Sequence, residues 1–206
     1  MKFKKNKPYI FNDLISDNLR ASKNFFIFHL IFFACGLILG FVFSANVNAN
    51  FFAMDYTNRY YNIVFNKSLS IVSIFFDRVL INLQLFFLIL IFSLHFSMTP
   101  LHYVFIMYKS YVLSSVTVVI ISTYGVLGIA NCILLILPQQ LITLFLLICF
   151  SLYGMRAAFN FRRYRGYVDF KGFIGRCLCY YLLSLITVVL DIVLIYIIIR
   201  PFNLLI

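Results

Sequence analysis

Residues 24–44 read NFFIFHLIFFACGLILGFVFS. None of these positions carries Asp, Glu, Lys or Arg. As a helix the stretch would be about 30 Å long, the thickness of a bilayer's hydrocarbon core. The apolar cores of cleaved signal sequences are shorter, about 7–15 residues. The stretch is therefore expected to remain as a spanning helix, and Val47-Asn48-Ala49 is not expected to be a cleavage site.

The rest of the chain agrees with this reading. Of 206 residues, 64% are hydrophobic and 11% are charged, and the mean hydropathy is +1.00. Soluble domains carry about 25% charged residues. Glu and Trp are absent, whereas Phe (26) and Tyr (14) are abundant, so Tyr must supply much of the interfacial aromatic belt. The net charge of +11 would suggest nucleic acid in a soluble protein. Here the Lys and Arg residues sit mainly in two clusters beside apolar runs, where they act as cytoplasmic flanks; a nucleic-acid partner is not expected.

Outward from the first span, residues 1–23 are basic, and Phe11, Leu14, Ile15 and Leu19 would share one face of an interfacial helix. Residues 45–80 form a polar and aromatic extracytoplasmic connection, in which Ile71 to Phe76 reads as the start of another helix at the membrane surface. Further spans are expected at about Ile81–Met98, Leu101–Thr123, Leu141–Met155 and Gly175–Ile199. Val126–Leu137 reaches only about half the ~20 residues that a crossing needs. It reads as a re-entrant or interfacial half-helix, separated from the fourth span by Pro138-Gln139-Gln140. The second basic cluster, Arg156 to Arg176, fills a cytoplasmic loop at residues 156–174.

Charge fixes the number of crossings. Both basic clusters belong on the cytoplasmic side, so an even number of spans separates them. That holds only if Val126–Leu137 does not cross. The expected fold is an all-α, single-domain polytopic bundle over residues 1–206. It has about five transmembrane helices plus one half-helix, with the N-terminus inside and the C-terminus outside.

Candidate chemistry is sparse. Lys109 and Asp191 are the charges most clearly inside spans, and such residues are costly and often functional. Their depths differ by about 8 Å or more along the helices, so a direct pair is not assured. Snorkelling of Lys109 and a polar helix contact at Asp191 are the plainer reading. His29, His95 and His102 show no metal-ligand spacing, and without Glu an HExxH zinc site is excluded. They read as interfacial or hydrogen-bonded histidines. The five cysteines read as small buried hydrophobes. No nucleophile elbow or phosphate-binding loop occurs. No enzyme activity, cofactor or metal is expected. Gly36/Gly40 and Ser110/Ser114 are small-xxx-small pairs suited to close helix approach. Lys109, Pro138, Gln139 and Gln140 form a polar and kinked set.

These residues, in this order, resemble the stage II sporulation protein M family. The likeness covers most of the chain. It includes Gly36 and Gly40 in the first span, Pro100 ending the second, and Lys109 preceding Ser110 and Ser114. Gly125, Gly128, Leu137-Pro138-Gln139 and Gly175-Arg176 complete it. The chain departs from the family in having Ser at 110 and 114 for Gly, and Gln140 for Asn. The resemblance implies a non-catalytic scaffold in a bacterial cell membrane, the mother-cell or septal membrane in a sporulating cell. It implies anchoring and localising of peptidoglycan-degrading partners similar to sporulation proteins P and D during engulfment. Membrane lipid is the other expected partner, and self-association stays open. The alternative is a transporter or permease-like subunit, suggested by the Pro138 break and the charges at Lys109 and Asp191.

Overall fold

The structure, a computed structural model, describes residues 23–44, 70–163 and 170–195 together with Asp55 and Asn58. The interfacial helix expected before Lys23, most of the 45–69 connection, the centre of the second basic loop and the end of the last span lie outside the described residues. Every described element is helical: α1 (Lys23–Ser44), α2 (Ile71–Leu94), a 3-10 turn (Phe96–Met98), α3 (Thr99–Asn131), a π turn (Cys132–Ile136), α4 (Leu137–Arg163) and α5 (Phe170–Val193). Five of these helices are long and apolar enough to cross a membrane. The chain is a multi-pass helical membrane bundle.

α4 lies at the centre. Of its most apolar stretch, 67% is buried, against 17% for α1. α1 packs chiefly on α3, while α2, α4 and α5 pack on one another. Burial on α1 inverts the soluble pattern. The buried residues are His29, Gly36, Gly40 and Ser44, and large apolar side chains such as Ile38, Phe41 and Phe43 face outward. In lipid no hydrophobic force draws helices together, so small and polar residues make the contacts.

α2 begins ten residues earlier than the expected second span. Ser70 supplies the reason: its Oγ accepts a hydrogen bond from the Ser73 backbone N–H at 3.2 Å, satisfying one of the free donors of the first turn. Residues 71–80 therefore belong to a helix and not to the outer connection, which brings Arg78 into the bundle.

At Gly125 the backbone of α3 leaves helical geometry, with φ 58° and ψ −129°, and the chain reverses. The segment after it then runs back along α3. Gly128 faces the Ile120 carbonyl, Cys132 Sγ lies 3.9 Å from Thr117 O, and further along α4 Ser151 meets His102. These pairs form one descending antiparallel series. The half-length segment is a lead-in to α4 and is not among the five spans. Pro138 does not separate the two. Helical backbone runs unbroken through the π turn just ahead of it into α4, and that turn takes up the discontinuity the proline imposes. Burial there pushes the Cys132 thiol up to about 11, so it stays protonated and unreactive near neutral pH.

Gly125 has open space around it, so a Cβ would meet no atom. The only cost of Gly125→Ala is conformational, since this backbone region is nearly restricted to glycine. We expect destabilisation of about 1–3 kcal/mol, read as a lower unfolding midpoint in detergent.

Candidate functional site

Three sets of buried side chains tie the helices together. The first joins α1 and α3, which run parallel: His29 lies against Tyr103, Gly36 against Met107 and Ser110, and Gly40 against Tyr111, Ser114 and Ser115. A Cβ on Gly36 would collide with Ser110 Oγ and the Met107 carbonyl. One on Gly40 would lie 2.5 Å from Tyr111 O and 2.8 Å from Ser114 Cβ. Ser110 turns its hydroxyl back to Met107 O at 2.9 Å, and Ser115 Oγ reaches Gly40 O at 3.5 Å. The two small-residue pairs thus face each other. Glycine on one helix alone is sufficient for close approach, and serine on the other fills the seam.

The second set lies between α2, α4 and α5. Arg78 Nε and Asp191 Oδ2 are 3.0 Å apart, and both side chains are buried. The buried amide of Gln139 approaches the same carboxylate. One helical turn deeper, Asn82 Nδ2 donates to Ser184 O at 3.4 Å and Thr143 Oγ1 donates to Thr187 Oγ1 at 3.1 Å. The spacing is regular: Arg78 and Asn82 on α2, Gln139 and Thr143 on α4, and Ser184, Thr187 and Asp191 on α5. Each helix presents polar groups on one face at three- or four-residue intervals. Beneath this polar file lies an aromatic layer. Phe86 and Phe150 stack at 5.2 Å, and Tyr180 lies 5.6 Å from Phe150.

The third set joins α1, α3 and α4 toward the opposite end of the bundle. His29 Nε2 and His102 Nδ1 lie 2.7 Å and 2.9 Å from the hydroxyl of Ser151. His29 Nδ1 lies 2.8 Å from Phe25 O. All three side chains are fully buried. Gly154, one turn beyond Ser151, packs against Ser93 and the His102 ring, so closely that an added Cβ would lie 3.3 Å from His102 Cε1.

Asp191 thus meets Arg78 and not Lys109. Lys109 is half-buried and makes no hydrogen bond or ion pair among the described residues. We expect Lys109→Met to leave the unfolding free energy within about 0.5 kcal/mol of the parent, as at sites away from specific contacts. Gln140 is half-buried and Pro138 exposed, so of that polar trio only Gln139 joins the buried file. Cys132, Cys149 and Cys177 are buried, but Cys35 and Cys179 are exposed on outward faces, unlike the expectation for all five. Cysteine is apolar enough to face lipid. His95 caps the 3-10 turn, its Nδ1 accepting from Ser97 N–H at 3.2 Å.

Sequence reasoning missed Arg78, Asn82, Thr143, Ser151, Ser184 and Thr187. The Ser70 cap could have placed Arg78 and Asn82 on a helix. The serine and threonine residues gave no signal alone, since a hydroxyl can bond its own helix at i−4. Among the described residues no group of three or more His, Cys, Asp or Glu is placed to hold a metal ion. No protein-family model, curated protein or solved structure matches the chain.

Proposed function

We propose that this chain is a non-catalytic membrane scaffold of the stage II sporulation protein M kind. In this reading it anchors and localises peptidoglycan-degrading partners in a bacterial cell membrane during spore engulfment, with its N-terminus in the cytoplasm. The observation that carries it is the α1–α3 seam. Gly36 and Gly40 meet Ser110 and Ser114, so two pairs of small-residue positions in the family pattern, far apart in sequence, form one contact, with Ser in place of the family's Gly on α3. The three buried sets support it further, because they bind all five spans to one another through side chains that face each other. Such a bundle is suited to holding an outer surface in a fixed arrangement.

Affinity purification of the tagged chain from cells at the engulfment stage tests the proposal. Recovery of membrane-associated wall hydrolases is expected. Their absence, with the chain itself recovered intact, would overturn it.

One observation favours a second reading, a transporter-like subunit. The polar file from Arg78 and Asp191 down to Asn82 and Thr143 resembles in kind the polar groups that line midplane sites in transporters. The pair Arg78→Leu with Asp191→Leu separates the two. If the doubly substituted chain folds, a scaffold retains partner localisation and a transporter loses its activity.

A further inference from the structure

We infer that His29, Ser151 and His102 form an intramembrane proton-binding site that takes up a single proton, at Nε2 of His102. The inference follows from the direction in which each hydrogen bond must run. A backbone carbonyl only accepts, so the 2.8 Å contact with Phe25 O places a proton on Nδ1 of His29. In a neutral imidazole the other nitrogen is then an acceptor. Nε2 of His29, 2.7 Å from Ser151 Oγ, therefore receives the Ser151 hydroxyl proton. Ser151 has no second proton to give. It can only accept across its 2.9 Å contact with His102, so Nδ1 of His102 carries a proton. That leaves Nε2 of His102 as a bare acceptor. It is fully buried and has no hydrogen-bond partner among the described residues.

The two histidines are thereby unequal. His102 can become an imidazolium without disturbing any bond in the chain, because its Nδ1–H already points at Ser151. The Phe92 carbonyl is the backbone group that acts on the His102 ring. His29 gains a proton at Nε2 only if the Ser151 hydroxyl reverses toward His102 and the His102 ring changes tautomer. Among the described residues, the ionisable groups facing the cluster are its own imidazoles and the Tyr103 phenol from α3, whose ring centroid is 4.7 Å from that of His29. From α1, α2 and α4 come Phe25, Phe92, Ser93 and Gly154, and among the described residues no carboxylate, Lys or Arg acts on either ring. His102 is the fourth residue of α3, so the aqueous proton enters near the bundle end from which α3 starts.

The test is nitrogen NMR of the full chain, with isotope-labelled histidine, in lipid nanodiscs over a stepwise acidification. A His95→Gln background removes the third histidine signal. At neutral pH both remaining rings are expected neutral with the proton on Nδ1. On acidification Nε2 of His102 gains a proton first, and Nδ1 of His29 is unchanged. First protonation of His29, the opposite tautomer in either ring, or two neutral rings up to the point of unfolding would each overturn the inference. Ser151→Ala supplies a second readout: the His102 ring should lose its fixed tautomer and populate Nε2–H. A His102 spectrum in this variant identical to the parent's would also overturn it.

Discussion

Replacing Gly40 by leucine is expected to abolish the folded bundle, and replacing it by alanine to weaken it measurably. The added Cβ would lie 2.5 Å from the Tyr111 carbonyl oxygen, inside any real contact distance. Tyr111 O is backbone, so it cannot step aside as a flexible side chain does. Relief requires α1 and α3 to separate, which also breaks the contact of Ser115 Oγ with Gly40 O. Overpacking of a well-packed site costs about 1–3 kcal/mol for small additions. Alanine at position 40 falls in that range, and leucine exceeds it. Gly36→Ala should behave alike, since its Cβ also meets a backbone oxygen, that of Met107. For that reason Ser110→Gly should rescue Gly36→Ala only in part. Unfolding midpoints in detergent, with yield of monodisperse protein for the leucine variants, check these outcomes. Gly175, with nothing within 4 Å, is the control: Gly175→Ala should be tolerated.

The second large effect concerns the Arg78–Asp191 pair. Asp191→Leu leaves a buried guanidinium without its carboxylate, and breaking a buried pair in this way costs about 3–5 kcal/mol. Arg78→Leu strands Asp191 instead, with a cost of the same order. The two changes together remove both desolvated charges, and apolar replacement of a whole buried pair is often neutral or stabilising. The double variant is therefore expected to be more stable than either single variant, and the coupling measured in the cycle to be large. The pair's geometry strengthens this expectation. Among the described residues, Oδ1 of Asp191 and Oε1 of Gln139 have no hydrogen-bond partner, so the polar cluster holds incompletely satisfied groups. Equal, additive losses in the cycle would show that the two charges do not meet.

The extent to which sequence foretold this structure differs by element. The α1 span was legible because 21 residues without a formal charge admit little else in a membrane protein. Gly125 and the half-length segment were legible from length and from the charge on either side. Pro138 misled because a proline in an apolar run reads as a break, whereas a π turn just ahead of it lets the helix continue. Asp191 was recognised as a costly charge, but its partner was not. Arg78 lay in what read as a surface connection, and only the Ser70 cap extends α2 far enough to bury it. His29 and His102 were noticed as histidines without a metal pattern. Their common partner, Ser151, stands 122 and 49 residues away, and such pairing depends on the helix register that tertiary packing sets.

The pairing of Arg78 with Asp191 places the start of α2 and the end of α5 at one end of the bundle. With the antiparallel course of α3 and α4, this requires an odd number of crossings. Topology mapping with reporter fusions in the full chain tests this most directly. Reporters placed after residue 97 and after residue 166 should fall on the side of the N-terminus. Those placed after residue 125 and at the C-terminus should fall on the other side. A C-terminal reporter on the same side as the N-terminus would contradict the five-span bundle and the pairing that closes it.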